Sequence, residues 1–195
     1  MSGPRVVEAN RLVWWCVLNG IILNIRPARS AKAYKGIWTK NGSPLLVHSE
    51  RQALLLQESI IRNGLENAHV ELAMRYGHPS IKMGLEALRA KGCGKILILP
   101  LYPQYAAATT ASTFDAVSDI LREWRWVPET RTVSSYHDHG LYIQALSNSI
   151  REHWREHGKP DYLLMSFHGI PKRYHVQGDP YPCFCHKTAR LVAAN

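Results

Sequence analysis

The sequence has few of the features that mark secreted, membrane-spanning or repetitive proteins. Only four cysteines occur among its 195 residues, at positions 16, 93, 183 and 185, too few and too uneven for a disulfide scaffold. The N-terminal residues lack the charged, apolar and small-residue regions of a secretory signal. The most apolar stretch, residues 12–25, is interrupted by two asparagines and is shorter than the roughly 20 residues that a spanning helix needs. We therefore expect a globular, cytoplasmic protein of a reducing compartment.

Acidic residues are also scarce. The chain has 15 Asp and Glu against 24 Lys and Arg, a formal net charge of +9. An excess of this size predicts an acidic partner, such as a carboxylate-bearing ligand, an anionic membrane surface or nucleic acid. Because the basic residues are scattered and no nucleic-acid-binding motif occurs, we expect no nucleic-acid partner.

The apolar stretch near the N-terminus has two interpretations. Trp14 and Trp15 lie among aliphatic residues with arginines on either side. This composition suits an apolar lip that rests on a bilayer or on a flat apolar ligand. It fits a helix buried in the core equally well. Peripheral contact with the inner membrane is therefore one of two open expectations.

From residue 70 onward, short apolar runs alternate with helical periodicity. The predicted strands are 70–76, 95–101, 131–136 and 162–168, and the predicted helices that separate or follow them are 81–91, 112–124, 139–157 and 183–194. Such alternation predicts an α/β fold with a parallel sheet and right-handed crossovers. The single candidate boundary, Gly158-Lys-Pro160, divides the chain into domains at 1–157 and 158–195.

Three predicted strands end in residues with useful chemistry. Parallel sheets bind ligands at the carboxyl ends of their strands. His168 ends the last strand at a turn that Gly169 imposes, and Arg75 ends the first without an obvious acidic partner, as a carboxylate clamp would. The second strand is followed by hydroxyl and amide groups, at Tyr102, Gln104, Tyr105, Thr109 and Thr110. The alternative for His168 is a turn histidine with satisfied hydrogen bonds. The alternative for the residues after the second strand is a capped turn that enters the next helix.

The Cys183-Phe-Cys185-His186 segment is a dense group of soft metal ligands. A zinc site needs four ligands and usually has wider spacing within each pair. A metal site there is therefore the weaker hypothesis.

Five motifs together carry a specific resemblance. They are, in chain order, Asn41-Gly-Ser-Pro-Leu45, Met74-Arg-Tyr-Gly-His-Pro79, Leu99-Pro-Leu-Tyr-Pro-Gln-Tyr105, Ser166-Phe-His-Gly-Ile-Pro171 and Gly178-Asp-Pro-Tyr-Pro182. In this order they resemble ferrochelatase of the proteobacterial type, from about Arg5 to the last residue.

The resemblance implies a lyase of haem biosynthesis that inserts ferrous iron into protoporphyrin IX, with no further cofactor required by the sequence. It also implies a chelatase-like (Rossmann-like) three-layer α/β fold with a cleft between two similar domains. Compared with the family, we expect the chain to be an N-terminal part. We expect its first domain to lack the opening strand and its second domain to be only begun. The family's essential glutamate belongs to the part of the second domain that lies beyond these residues.

The resemblance also assigns site residues. His168 matches the family's active-site histidine, with a catalytic and a metal-binding role, because imidazole can accept a pyrrole proton or ligate Fe(II). The porphyrin-binding residues it implies are Arg26, Arg29, Arg75, Tyr76, Tyr102 and Tyr105. Arginines can neutralise propionates, and aromatic side chains suit a flat macrocycle.

Two alternative functions stay open at this point. One is a porphyrin-binding module without catalysis, which would keep the arginines and the Trp14-Trp15 surface. The other is a chelatase for another metal, such as cobalt.

Overall fold

The computed structural model describes residues 5, 11–22, 31 and 34–195. The α-helices are α1 (Arg11–Val17), α2 (Pro44–Arg62), α3 (Ile81–Ala90), α4 (Ser112–Leu121), α5 (Gly140–His157), α6 (Lys172–Val176) and α7 (Tyr181–Ala193). The strands are β1 (Lys95–Ile98) and β2 (Glu129–Thr132), and π-helical turns occupy Leu18–Ile22 and Ala107–Ala111. These elements form two compact units, one made of Lys95–Asn195 with Arg5 and one within residues 7–94. Across the described ranges, no helix combines the length and the apolar character needed to cross a bilayer.

The unit within residues 7–94 has its core on helix α3. The Ser80 hydroxyl accepts a hydrogen bond from the backbone N–H of Met83 and so caps the first turn of α3. Ile81 and Leu85 then face inward and are buried. The helix ends at Gly92, whose φ of 73° is readily adopted only by glycine. The helix predicted at 81–91 is therefore confirmed.

The strand predicted at 70–76 is wrong. Among the described residues, the one pairing of this segment is an isolated bridge between Met74 and Ser80. Its start is held by a side chain instead of a strand: the backbone N–H of Val70 donates to Gln57 Oε1 at 2.7 Å, and Gln57 Nε2 donates to the carbonyl of Ala68 at 2.9 Å. The glutamine of α2 thus bonds to backbone groups that a neighbouring strand would otherwise pair.

Residues 70–76 are apolar because they pack closely against α3. A Cβ atom added at Gly84 of α3 would lie 3.2 Å from the Cβ of Ala73. This distance is tighter than an ordinary contact, so the glycine lets the segment lie directly on the helix. Apolar side chains here pack on a helix without joining a sheet.

Strands β1 and β2 form a two-stranded parallel sheet. Lys95 lies opposite Glu129 and Ile98 opposite Thr132, with α4 in the connection between them. The predicted α/β fold with a parallel sheet is therefore confirmed. Both strands are shorter than predicted, and in β1 only Ile96 is buried, whereas Leu97 is 62% exposed. The sheet buries one face of β1, which the continuous apolar run does not reveal.

The strand predicted at 162–168 is also wrong. Residues 161–170 form neither helix nor strand, and Tyr162 and Leu164 are 90% and 91% exposed. A strand requires a partner that pairs its backbone N–H and C=O groups, and no strand of the described residues pairs with this segment. His168 consequently does not follow a strand.

Helices α5 and α7 pack against each other. Ile143 on α5 and Cys185 and Val192 on α7 are buried. The helices predicted at 139–157 and 183–194 are confirmed to within two residues, whereas α6 was not predicted. Both sides of the predicted boundary at 157 and 158 belong to one compact unit here, and the proposed domain division stays a prediction.

Truncating Ile143 tests the packing of α5. Ile143 is 3% exposed and Leu141, on the same helix, is 71% exposed. We expect Ile143→Ala to lower the free energy of unfolding by about 2–5 kcal/mol through lost burial and a residual cavity, as is typical of buried aliphatic residues. The matched Leu141→Ala should change it by less than about 0.5 kcal/mol. Urea denaturation measures both values, and equal effects would contradict this packing.

Candidate active site

The loops that leave β1 and β2 are joined by backbone hydrogen bonds. The ladder continues one residue beyond the strands, where Val133 N–H donates to the carbonyl of Ile98 at 2.9 Å. Further on, Tyr136 N–H donates to the carbonyl of Pro103 at 3.0 Å. Residues 99–107, here called the β1-exit loop, therefore lie beside the loop that follows β2. This is the meeting of parallel strand ends that the sequence predicts.

Helix α7 connects these two loops through a single threonine. The Thr188 hydroxyl is almost fully buried, donates to the carbonyl of His137 at 2.7 Å and accepts from Gln104 Nε2 at 3.0 Å. Gln104 lies between the two candidate porphyrin tyrosines, of which Tyr102 is exposed and Tyr105 half-buried. One side chain of α7 thus bonds to both the β1-exit loop and the loop that follows β2.

The segment that carries His168 also contacts α7. Residues 161–171, here called the histidine loop, present His168 as an exposed side chain. The Tyr181 side chain, in the first turn of α7, lies near the Cys185 thiol, which adds to the rise of its pKa, and near the backbone of His168, which opposes that rise. Burial is the main cause that raises the pKa of Tyr181 to about 12, so it is a neutral phenol at physiological pH. Helix α7 therefore contacts the histidine loop as well as the β1-exit loop.

Arg75 and Tyr76 lie in the other compact unit and contact each other. The Arg75 guanidinium lies 4.6 Å from the centre of the Tyr76 ring, in cation–π geometry. The Arg75 Nε atom is buried and has no hydrogen-bond partner. The guanidinium as a whole is half-buried, and a half-buried guanidinium suits a carboxylate ligand. Its convergence with His168 at one site stays a prediction.

Two predicted porphyrin residues, Arg26 and Arg29, lie outside the described residues, as does the side chain of Trp14. On either side of Trp14 in the sequence, Val13 and Trp15 of α1 are 60% and 63% exposed. The exposure of these two side chains favours the lip over the buried helix for this part of α1.

The candidate metal ligands do not form a cluster. No group of three or more His, Cys, Asp or Glu side chains in the described residues could hold a metal ion. Cys183 is exposed, whereas burial raises the pKa of the Cys185 thiol and disfavours the thiolate that metals bind. The cysteine-based metal site remains the weaker hypothesis, and His168 stays the predicted metal-binding residue.

A buried histidine lies next to the α7 contacts. The His137 ring stacks on Phe184 of α7 with 3.7 Å between centroids and 8° between planes. Neither ring nitrogen has a hydrogen-bond partner. Desolvation is the largest influence on its pKa and lowers it; the nearby Asp138 opposes the shift, and Lys187 reinforces it. The folded protein therefore favours the neutral imidazole.

Sequence reasoning missed several residues that organise this site. Thr188 was given no role, and neither was Asp179 of the Gly178-Asp-Pro-Tyr-Pro182 motif, whose Oδ2 accepts the N–H of Ala107 at 2.8 Å. The pattern held one usable signal, because an Asp immediately before a Pro-containing helix start can bind free backbone N–H groups. Thr188 carried no signal, since its partners are distant in sequence.

Comparison with known proteins places this chain in a family. The family model described as Ferrochelatase matches residues 1–195. The chain is 56% identical over 194 residues to a ferrochelatase of Aromatoleum aromaticum, a match that covers 100% of this chain and 53% of that protein. It is 56% identical over 190 residues to one of Thioalkalivibrio sulfidiphilus, covering 97% of this chain and 52% of that protein. A ferrochelatase of Hydrogenovibrio crunogenus is 55% identical over 197 residues, covering 99% and 52%.

Fold and comparisons agree on the class of protein. The two parallel strands with flanking helices define an α/β protein whose loops meet at one edge of the sheet. The chain belongs to the ferrochelatase family, which confirms the resemblance predicted from its five motifs. It spans about half the length of the curated relatives that it matches.

Acidification tests the buried state of His137. The folded-state pKa lies below the ordinary 6.5, so the unfolded chain binds the proton more readily. The contribution of the neutral ring is complete above about pH 6.5 and is lost as pH falls through the folded-state pKa. We expect His137→Phe, which keeps a ring against Phe184, to lose less stability than the unsubstituted chain between about pH 7 and pH 5.

Urea denaturation at each pH measures this difference. His186→Phe changes an exposed histidine of α7 and is the control, expected to retain the dependence of the unsubstituted chain. Parallel pH profiles for His137→Phe and the unsubstituted chain would show that His137 is not buried in its neutral form.

Proposed function

We propose that this chain serves the insertion of ferrous iron into protoporphyrin IX, the metal-chelating step of haem synthesis. Membership of the ferrochelatase family supports the reaction class. The observation that carries the proposal is the arrangement around α7: Thr188 of this helix bonds to Gln104 of the β1-exit loop, and the histidine loop belongs to the same compact unit. An aromatic loop and an exposed imidazole thus belong to the same compact unit as this helix.

In this proposal His168 acts on the metal and on the pyrrole protons. Insertion of Fe(II) requires removal of two protons from the porphyrin nitrogens. A neutral imidazole can accept such a proton, or it can ligate Fe(II) on its way to the macrocycle. The exposed position of His168 leaves its ring accessible to either partner.

The other site residues would bind the porphyrin. The half-buried Arg75 guanidinium would pair with a propionate, and Arg26 and Arg29 would do the same at the sites that the resemblance assigns. Tyr76, Tyr102 and Tyr105 would contact the flat macrocycle. The exposed Trp15 and the net charge of +9 support a cytoplasmic protein with peripheral contact to an anionic membrane.

Substitution of His168 tests the catalytic part of the proposal. We expect His168→Ala to slow iron insertion about a hundredfold or more, as loss of a proton-accepting group typically does. Porphyrin affinity should change little, because the ring of His168 is not a predicted propionate partner. Anaerobic incubation with ferrous iron and protoporphyrin, followed by the change in the porphyrin absorption spectrum, gives the rate.

His186→Ala, on the exposed side of α7, is the control and should retain the rate of the unsubstituted chain. Insertion by His168→Ala at an undiminished rate would contradict the proposed role. Saturable porphyrin binding with no iron insertion by the unsubstituted chain would favour the porphyrin-binding module instead. Faster insertion of cobalt than of iron would favour a chelatase for that metal.

Substitution of Arg75 tests the carboxylate clamp separately. We expect Arg75→Leu to weaken binding of protoporphyrin about tenfold, through loss of one charge-assisted hydrogen-bonded pair. The dimethyl ester of the porphyrin, which carries no propionate charge, is the matched ligand and should bind both proteins alike. Quenching of tryptophan fluorescence measures each affinity, and equal losses for both porphyrins would rule out pairing with a propionate.

A further inference from the structure

Two histidines lie four positions apart at the C-terminal end of α5. His153 and His157 are both exposed, and their rings lie side by side with 4.2 Å between centroids and 21° between planes. Residues four positions apart are neighbours on a helix surface, and two histidines at this spacing bind zinc in other proteins. None of the candidate site residues belongs to α5, so the proposed reaction gives this pair no role.

A hydrogen bond leaves one nitrogen of His157 ready to bind a metal. Its Nδ1 atom lies 3.1 Å from the carbonyl oxygen of His153. Because a carbonyl can only accept, Nδ1 carries the hydrogen, and Nε2 of the neutral ring keeps its free lone pair. Metal-binding histidines are typically held in this way, with one ring nitrogen bonded to a carbonyl or carboxylate and the other bonded to the metal.

The helix end that carries the pair is fixed by its own backbone. Gly158 N–H donates to the carbonyl of Trp154 at 2.9 Å, and the φ of 86° at Gly158 ends the helix. The Glu156 carboxylate lies 3.9 Å from Nδ1 of His157. Its negative charge favours a cation beside the pair. The Lys159 ammonium, the next cation along the chain, lies over the Trp154 ring at 5.7 Å from its centre.

From these contacts we propose that His153 and His157 form a surface site for one divalent transition metal ion of the class that imidazole binds, such as Ni²⁺ or Zn²⁺. Water would complete the coordination shell, since two protein ligands leave positions open. The rings are nearly parallel, so binding requires rotation of the exposed His153 ring about its terminal torsion, whose energy profile is broad. The inference does not rest on the proposed function, because it involves neither porphyrin nor His168.

The main test is calorimetric titration of Ni²⁺ into the chain prepared without a histidine tag. We expect the unsubstituted chain to show saturable binding that His153→Ala and His157→Ala each weaken at least about tenfold. Loss of a residue that merely supports a metal ligand typically costs that much, and loss of a ligand should cost no less. Urea denaturation without metal should give all three proteins the same midpoint, since both side chains are exposed.

A variant with exchanged residues tests the spacing itself. Arg155→His combined with His157→Arg keeps the number of histidines and the net charge, but it places the two imidazoles two positions apart, where helix side chains do not face each other. It should bind Ni²⁺ as weakly as the single variants. His48→Ala is the control, because this exposed histidine of α2 has no Asp, Glu, His or Cys three or four positions away in the sequence. It should bind as the unsubstituted chain does.

Three results would overturn the site. The first is no saturable binding of Ni²⁺ by the unsubstituted chain. The second is undiminished binding by either His153→Ala or His157→Ala, since a chelate needs both rings. The third is undiminished binding by the variant with exchanged residues, which would show that the spacing of four positions has no part in it.

Discussion

Helix α7 is joined to the loops that follow both strands by the hydroxyl of one buried side chain. The buried Thr188 is central to this arrangement, since its one hydroxyl satisfies a carbonyl after β2 and an amide of the β1-exit loop. Each such bond contributes about 1 kcal/mol net, but leaving a buried partner unsatisfied costs about 1–3 kcal/mol. The cost of leaving these buried polar groups without a partner exceeds the net gain from each hydrogen bond. This cost is therefore the main reason that α7 keeps its position.

The ion pair between Lys187 of α7 and Asp138 contributes little to the position of this helix. Lys187 of α7 lies 2.6 Å from Asp138, yet their side chains are 44% and 40% exposed. Water and salt screen such a pair, and measured values for exposed pairs centre on about 0–1 kcal/mol. The apolar contact of His137 with Phe184 and the buried hydroxyl of Thr188 are not screened in this way. Burial, more than charge, holds the helix in place.

In the unit within residues 7–94, contacts between side chains and backbone likewise decide where a segment lies. There Gln57 bonds to the backbone at Ala68 and Val70, and Gly84 allows the following segment to lie on α3. The side chain of Gln57 thus bonds to backbone groups that a strand partner would otherwise pair. The absence of a Cβ atom at Gly84 lets the segment lie directly on the helix. These two features explain why a strand-like sequence forms no strand at 70–76.

Sequence patterns were sufficient where the interactions are local. Helices α3, α5 and α7 were predicted because their spacing, capping and end signals lie within a few residues of one another, as Ser80 and Gly92 do for α3. The parallel relation of β1 and β2 followed from their alternation with helices. The five motifs identified the family, because each preserves several residues in a fixed order.

Only the tertiary structure decided which apolar runs pair and which polar residues hold the site. Residues 95–98 and 162–168 look alike as sequence, but only the former has a parallel partner in the described chain. Pairing depends on a second strand brought from elsewhere, which no local pattern records. Likewise His168 was found from its motif, whereas Asp179 and Thr188 bond to partners 72 and 84 residues away, at Ala107 and Gln104. The sequence by itself determined the family and the local helices, and long-range contacts determined how the candidate site is held.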